Sequence, residues 1–259
     1  DEIALGTTTL EDLAAEVPTA RGWFQLYLMS DRSIGREMTR RAWDAGYDTL
    51  LLTIDTPVPG RRNRDVRNGL IVPPRLTWRN VADIARHPRW GINAVTTDPM
   101  RMAMVDAESE LPAARMAKVF DPGVSASDVE WLRAEWPGKL VVKGVQSVDD
   151  ALLVASLGAD AVELSSHGGR QLDHAPLPFE LLPAVRENLH TDIQILVDGG
   201  VLSGVDVIAC LANGADAVGV GRAYLYGLMA AGETGVQRVV DLIRAEIETT
   251  VRLLGCTSI

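Results

Sequence analysis

From Lys139 to the C-terminus the chain keeps a strict beat of short apolar runs and helical stretches, and this alternation constrains the fold more than any other feature. "KLVVKGV" reads as a buried strand and "SVDDALLVASLGA" as a capped helix of 3.6-residue period. "AVELSS" then leads to helix "PFELLPAVRENL", "IQILVDGG" to helix "SGVDVIACLANGA", and "AVGVGR" to helical "AYLYGLMAAG". The pentapeptide "GADAV" occurs at Gly158 to Val162 and again at Gly214 to Val218, each time closing a helix and opening the next strand. Strands that are apolar throughout, each followed by a helix, imply a parallel sheet covered by helices.

Upstream, "GWFQLYL" and "DTLLLTIDT" read as two further strands around helix "SIGREMTRRAWDAG", and "IALGT", Ile3 to Thr7, as one more. The expected fold class is α/β, a (β/α)8 TIM barrel. Seven strands are legible where a closed barrel needs eight. The whole chain, residues 1–259, reads as one domain. A long excursion at about 57–125 follows "DTLLLTIDT"; it is rich in arginine, proline and tryptophan, with helix expected in "TWRNVADIAR" and "LPAARMAKV".

Composition narrows the function. A formal charge of −10 and the lack of a basic run argue against nucleic acid. The two cysteines, Cys210 and Cys256, lack metal-ligand spacing, so neither a zinc site nor a disulfide scaffold is expected. No apolar run reaches the length of a membrane span and the first residues do not read as a signal peptide, so a cytoplasmic location is expected.

In barrels of this kind chemistry gathers at the C-terminal ends of the strands. Those ends carry Gln25 and Tyr27, Thr53 and Asp55, Lys143, then Ser165, His167 and Arg170, then Asp198 and Gly200, and finally Gly221 and Arg222. The glycines of "VDGGVLSG" allow backbone N–H groups to approach an anion, and the fork of Arg222 suits phosphate. This half alone fits FMN or any phosphorylated substrate.

"SSHGGRQLD" resembles the "SNHGGRQLD" signature of the FMN-dependent L-2-hydroxy acid oxidases and dehydrogenases. "WFQLY", the run from "TIDTPVPGRR" to "RDVRN", "LVVKGV", "VDGG" and "GRAYLYGLMAAGETGV" resemble the family in the same order, with "EWPGKLVVKG" most similar to the bacterial L-lactate and mandelate dehydrogenase branch. The resemblance implies oxidation of an L-2-hydroxy acid to a 2-oxo acid with FMN. His167 would be the general base, Asp55 its partner, and Arg62 and Arg170 the clamp on the substrate carboxylate. Tyr27 would hydrogen-bond the substrate oxygen, and Lys143 would lie at the N1–C2=O edge of the flavin. Gln25, Thr53 and Ser165 would bind the ring, while Asp198, Gly200, Gly221 and Arg222 would hold the ribityl and phosphate groups. It also implies a quinone or cytochrome as electron acceptor, or O₂ in an oxidase, and a homo-oligomer, a tetramer in the family. Peripheral contact with the inner face of a membrane would run through the 57–125 excursion.

Three departures stand out. Ser166 replaces the asparagine before the histidine, and Leu202 stands where many members carry an arginine. The family's N-terminal helices and first barrel strand are not recognisable. An inactive truncated barrel that binds FMN weakly, and a phosphate-binding barrel enzyme without flavin, are the competing readings. Of the remaining candidates, His174 is either a supporting residue behind the site or plain loop. His87 and His190 read as surface, Trp78 and Trp90 as loop packing rather than a membrane or partner contact, and Arg61, Arg64 and Arg67 as a solvated run.

Overall fold

The computed structural model describes residues 2–3, 8–68, 77–97, 121–190 and 192–259. Seven strands form one all-parallel sheet in sequence order: β1 (Glu2–Ile3), β2 (Trp23–Leu26), β3 (Thr49–Thr53), β4 (Lys139–Val145), β5 (Ala161–Leu164), β6 (Gln194–Val197) and β7 (Ala217–Val218). Sequential parallel neighbours joined by helices make the wall of a (β/α)8 barrel, as the alternation implies. Of the strand expected at Ile3 to Thr7, Ile3 pairs with Phe24, with Glu2 before it pairing with Trp23, and residues 4–7 lie outside the described residues.

Helices α1 (Leu10–Glu16) and α2 (Arg32–Asp44) cross from β1 to β2 and from β2 to β3. The excursion after β3 carries α3 (Asn63–Arg67), α4 (Trp78–Arg86) and α5 (Pro88–Thr96), and α6 (Ala126–Glu135) returns the chain to β4. The helix expected in "LPAARMAKV" lies outside the described residues. Arg32 fastens the return: it pairs with Asp121 and, at 2.7 Å, with Asp128. Beyond β4 follow α7 (Val148–Ser156), α8 (Pro178–Asn188), α9 (Gly204–Ala212) and α10 (Arg222–Leu253).

Helix α10 extends far beyond the expected "AYLYGLMAAG" and breaks at Ala231 and Gly232. Its two halves fold back where Gly227 meets Gly235, so closely that a Cβ on Gly235 would lie 1.9 Å from the Gly227 oxygen. The second half rests on α9: the Gly204 amide donates to Glu246 at 2.7 Å, and a Cβ on Gly204 would meet the Ile247 nitrogen at 2.5 Å.

Each strand faces two ways, because successive side chains alternate across it. Phe24, Leu26, Leu50, Leu52, Leu140, Val142, Val162, Leu164, Ile195 and Val197 point outward into the main core with Met38, Leu132, Ala151, Leu182 and Val185 of the helices. Inside the arc, Leu51, Val141, Ala161 and Leu196 make a smaller apolar layer against Trp23. One step further along the same face come Gln25, Thr53, Lys143 and Glu163, all buried.

The repeated pentapeptide acts at the opposite end of the sheet. In the first copy the Asp160 carboxylate accepts from the Leu140 amide at 2.9 Å and from Arg133 at 2.8 Å. In the second, Asp216 accepts from the Ile195 amide at 2.7 Å and pairs with Arg186. Each aspartate thus ties the start of its strand to the strand before, and an arginine from a preceding helix locks it. Burial works to raise the Asp160 carboxyl, yet hydrogen bonds from Lys139 and the Leu140 amide and the charges of Lys139 and Arg133 hold it below the usual range.

Candidate active site

Strand β4 carries a register shift between Lys143 and Val145, with Gly144 at φ +97°. Lys143, just before the shift, faces inward by strand alternation and is 5% exposed in its side chain. Its ammonium donates to Glu163 Oε1 at 2.6 Å, to Asp198 Oδ2 and, at 3.4 Å, to Ser165 Oγ. Beside it Gln25 donates its side-chain amide to Thr53 Oγ1 at 2.8 Å. Asp198 follows β6, and its Oδ1 is buried with no hydrogen-bond partner among the described residues.

After β5 the chain turns sharply. Ser165 is fully buried, and its hydroxyl accepts from the His167 amide at 3.0 Å. His167, Gly168 and Gly169 then take φ of 53°, 63° and 72° in succession. A left-handed histidine is strained unless its surroundings hold it. Here the imidazole Nδ1 lies 3.2 Å from both oxygens of Asp55. The Asp55 side chain is 1% exposed and that of His167 26%. A carboxylate only accepts, so the neutral form of the imidazole carries its proton on Nδ1 and leaves Nε2 as the acceptor.

The two arginines sit on loops that lock together. Gly60 packs against the turn after β5 so tightly that a Cβ would lie 2.2 Å from the Arg170 oxygen. Its amide donates to Gln171 Oε1 at 3.0 Å, and Gln171 Nε2 reaches the Val58 oxygen at 3.4 Å. Arg62, at the start of α3, and Arg170 are both exposed on this joined rim, and Tyr27 is half-buried just past β2. Of the anticipated residues, the structure brings His167 to Asp55, Lys143 to Ser165 and Asp198, and Gln25 to Thr53. Sequence reasoning missed Glu163 and Gln171. Glu163 had a signal: it is a carboxylate at an inward position of an otherwise apolar strand. Gln171 had none, because its role depends on a loop distant in sequence.

Next to this cluster lies a cavity of about 600 Å³ whose walls include Ser166, Gly168, Gly199, Gly200, His174 and Arg222. Nothing stands within 4 Å of where a Cβ would be on Gly200 or Gly221, and no side chain caps α10 at Gly221. Open backbone, a helix start and a guanidinium make an anion cradle. His174, left undecided by the sequence, is an exposed loop residue at φ 60° on the cavity wall. His87 and His190 are exposed, as read. Trp78 and Trp90 correct the reading as loop packing. They lie on helices α4 and α5 and are 89% and 59% exposed, while Gly91 of α5 packs against Ile84 of α4. Among the described residues no cluster of side chains could hold a metal ion, and no helix is long and apolar enough to cross a membrane.

An FMN places one demand on each part of this end of the sheet: a phosphate cradle, an acceptor for ribityl hydroxyls and a cation for the reduced ring. Gly200, Gly221 and Arg222 fit the first, the buried Asp198 Oδ1 the second and Lys143 the third. The sequence profile of the FMN-dependent dehydrogenases matches residues 4–259. The chain belongs to the FMN-dependent dehydrogenase family.

Two relatives and one solved structure set the distance within this family. The chain is 49% identical to a Mycobacterium tuberculosis protein named "Putative L-lactate dehydrogenase", over 98% of this chain and 61% of that protein. It is 38% identical to the L-lactate dehydrogenase of Bartonella tribocorum, over 95% of this chain and 66% of the relative. A crystal structure of the monotopic membrane protein (S)-mandelate dehydrogenase superposes with a TM-score of 0.91 at 40% identity, covering 96% of this chain and 67% of the other. The chain thus spans 61% to 66% of the length of these two relatives. The superposition agrees with the barrel assignment.

Proposed function

We propose that the protein oxidises an L-2-hydroxy acid of the lactate or mandelate type to the 2-oxo acid, using FMN. The observation that carries this reading is the His167–Asp55 pair at 3.2 Å, a base with its proton-side nitrogen held and its other nitrogen open. Arg62 and Arg170, on loops fastened by Gln171, bind the substrate carboxylate through paired hydrogen bonds. Tyr27 donates to the hydroxyl oxygen as it becomes a carbonyl. His167 Nε2 takes a proton from the α-hydroxyl or the α-carbon, and Asp55 stabilises the imidazolium that results. Bound FMN supplies the two-electron sink, with Lys143 the cation beside it and Gln25, Thr53 and Ser165 its hydrogen-bonding partners.

Electrons then pass to a quinone or cytochrome acceptor at a membrane. Support comes from the monotopic neighbour and from α4 and α5, which expose Trp78, Trp90, Ile92 and Val95. Amphipathic helices of this kind seat in the headgroup region. The protein should float with anionic lipid vesicles, and the double variant Trp78→Ser, Trp90→Ser should remain in the aqueous fraction.

The catalytic test is anaerobic. L-lactate or L-mandelate added to the FMN-loaded protein should bleach the flavin absorbance, and re-oxidation by a quinone without hydrogen peroxide separates a dehydrogenase from an oxidase. His167→Ala should slow bleaching by at least ~10² while FMN stays bound. A near-native rate in that variant removes His167 from the mechanism.

A further inference from the structure

Within the Lys143 cluster Glu163 is the residue the functional reading has not used. Its side chain is 3% exposed and sits on β5, on the face that carries the site. Lys143 is ion-paired with it and with Asp198, so two carboxylates face one ammonium. A Cβ on Gly219 of the neighbouring segment would lie 3.1 Å from Asp198 Cβ and 3.8 Å from Glu163 Oε1, so a small residue borders both acids.

We infer that Glu163 is a positioning residue acting through Lys143: it fixes the ammonium and offsets its charge, lowering the reduction potential of the bound flavin. The physical argument is electrostatic. An electron-accepting ring gains negative charge on reduction, and a nearby cation stabilises the reduced form in proportion to its net field. In a water-poor interior that field is weakly screened, so a carboxylate 2.6 Å from the ammonium cancels much of it. The second acid, Asp198, has a side chain 21% exposed and within reach of a ribityl hydroxyl, whereas that of Glu163 lies deeper, at 3%. Asp198 therefore serves the cofactor directly and Glu163 serves Lys143. The consequence is a flavin held at lower potential than Lys143 alone would give, which favours passing electrons onward to an acceptor.

This rests on the FMN reading above, and two flavin properties test it apart from turnover. In the FMN-loaded protein, Glu163→Gln keeps the shape and removes the charge. The two-electron midpoint should rise by the equivalent of about tenfold in the reduction equilibrium, some 30 mV. Sulfite, whose adduct with the ring also places negative charge there, should bind about tenfold more tightly by flavin absorbance. An unchanged or lowered midpoint in a loaded Glu163→Gln variant overturns the inference. Should that variant fail to fold or load, Glu163→Asp carries the test. It keeps the charge, so its midpoint should correspond to less than a threefold change, and a tenfold change in either direction overturns the inference. A native protein that takes up no FMN overturns the functional reading instead.

Discussion

His167 holds a backbone conformation that a histidine tolerates only when other contacts fix it. Ser165 binds its amide and Asp55 its ring. Asp55 is thus more than a neighbour, since it sets which nitrogen of the imidazole is open. A charge-assisted hydrogen bond is worth about 1.5–3 kcal/mol. Asp55→Asn keeps a polar partner but loses the charge, so substrate-driven bleaching should slow by about ten- to a hundredfold. Stopped-flow absorbance on the FMN-loaded variant measures this, and an unchanged rate would separate Asp55 from the base. The arginines make a different prediction. Arg170→Lys keeps the charge and loses the planar fork, so half-saturation should shift to higher hydroxy acid concentration with the flavin retained. Equal affinity in a direct titration would remove Arg170 from the clamp.

At the scale of elements, the bulge in β4 couples fold to site. Gly144 is left-handed, and a Cβ there would lie 2.6 Å from Asp55 Cβ. Gly144→Ala should cost about 1–3 kcal/mol of stability and also displace Asp55; urea unfolding alongside the bleaching rate reads both effects. The aspartates of the sheet's other end predict a pH dependence. Asp160 has its carboxyl held below the ordinary range, so its contribution is full above the unfolded value of about 4 and is lost as pH falls below it. Urea midpoints should drop between pH 5 and pH 3, and Asp160→Asn should flatten that drop. The strands were legible because each is an apolar run ended by polar or glycine residues, and the site because its residues cluster at those ends. Less legible was whatever depends on contacts between distant segments. The fold-back of α10 rests on Gly227 meeting Gly235, and the joined rim rests on Gln171 reaching residues far back in the chain. Glu163 went unread for another reason: one acidic letter in "AVEL" looks like noise until its partner, Lys143, is known to face it.

For the molecule as a whole, the sheet is an arc: among the described residues β1 and β7 each have one strand neighbour. Such edges offer bare backbone groups for pairing. The 259 residues expressed alone should therefore self-associate or hold less than one FMN per chain, which light scattering and the flavin-to-protein ratio will check. A monodisperse chain with a full equivalent of flavin would show the arc to be self-sufficient. The paired aspartate ties described for "GADAV" bear on a separate matter. They secure β4 to β5 and β6 to β7 at one end, while every group of the proposed chemistry stands at the other. Stability and reactivity are thereby assigned to different ends of the same strands. A lineage could exchange the rim residues for a new substrate without loosening the foundation, so the scaffold is free to diversify its trade while its masonry stands.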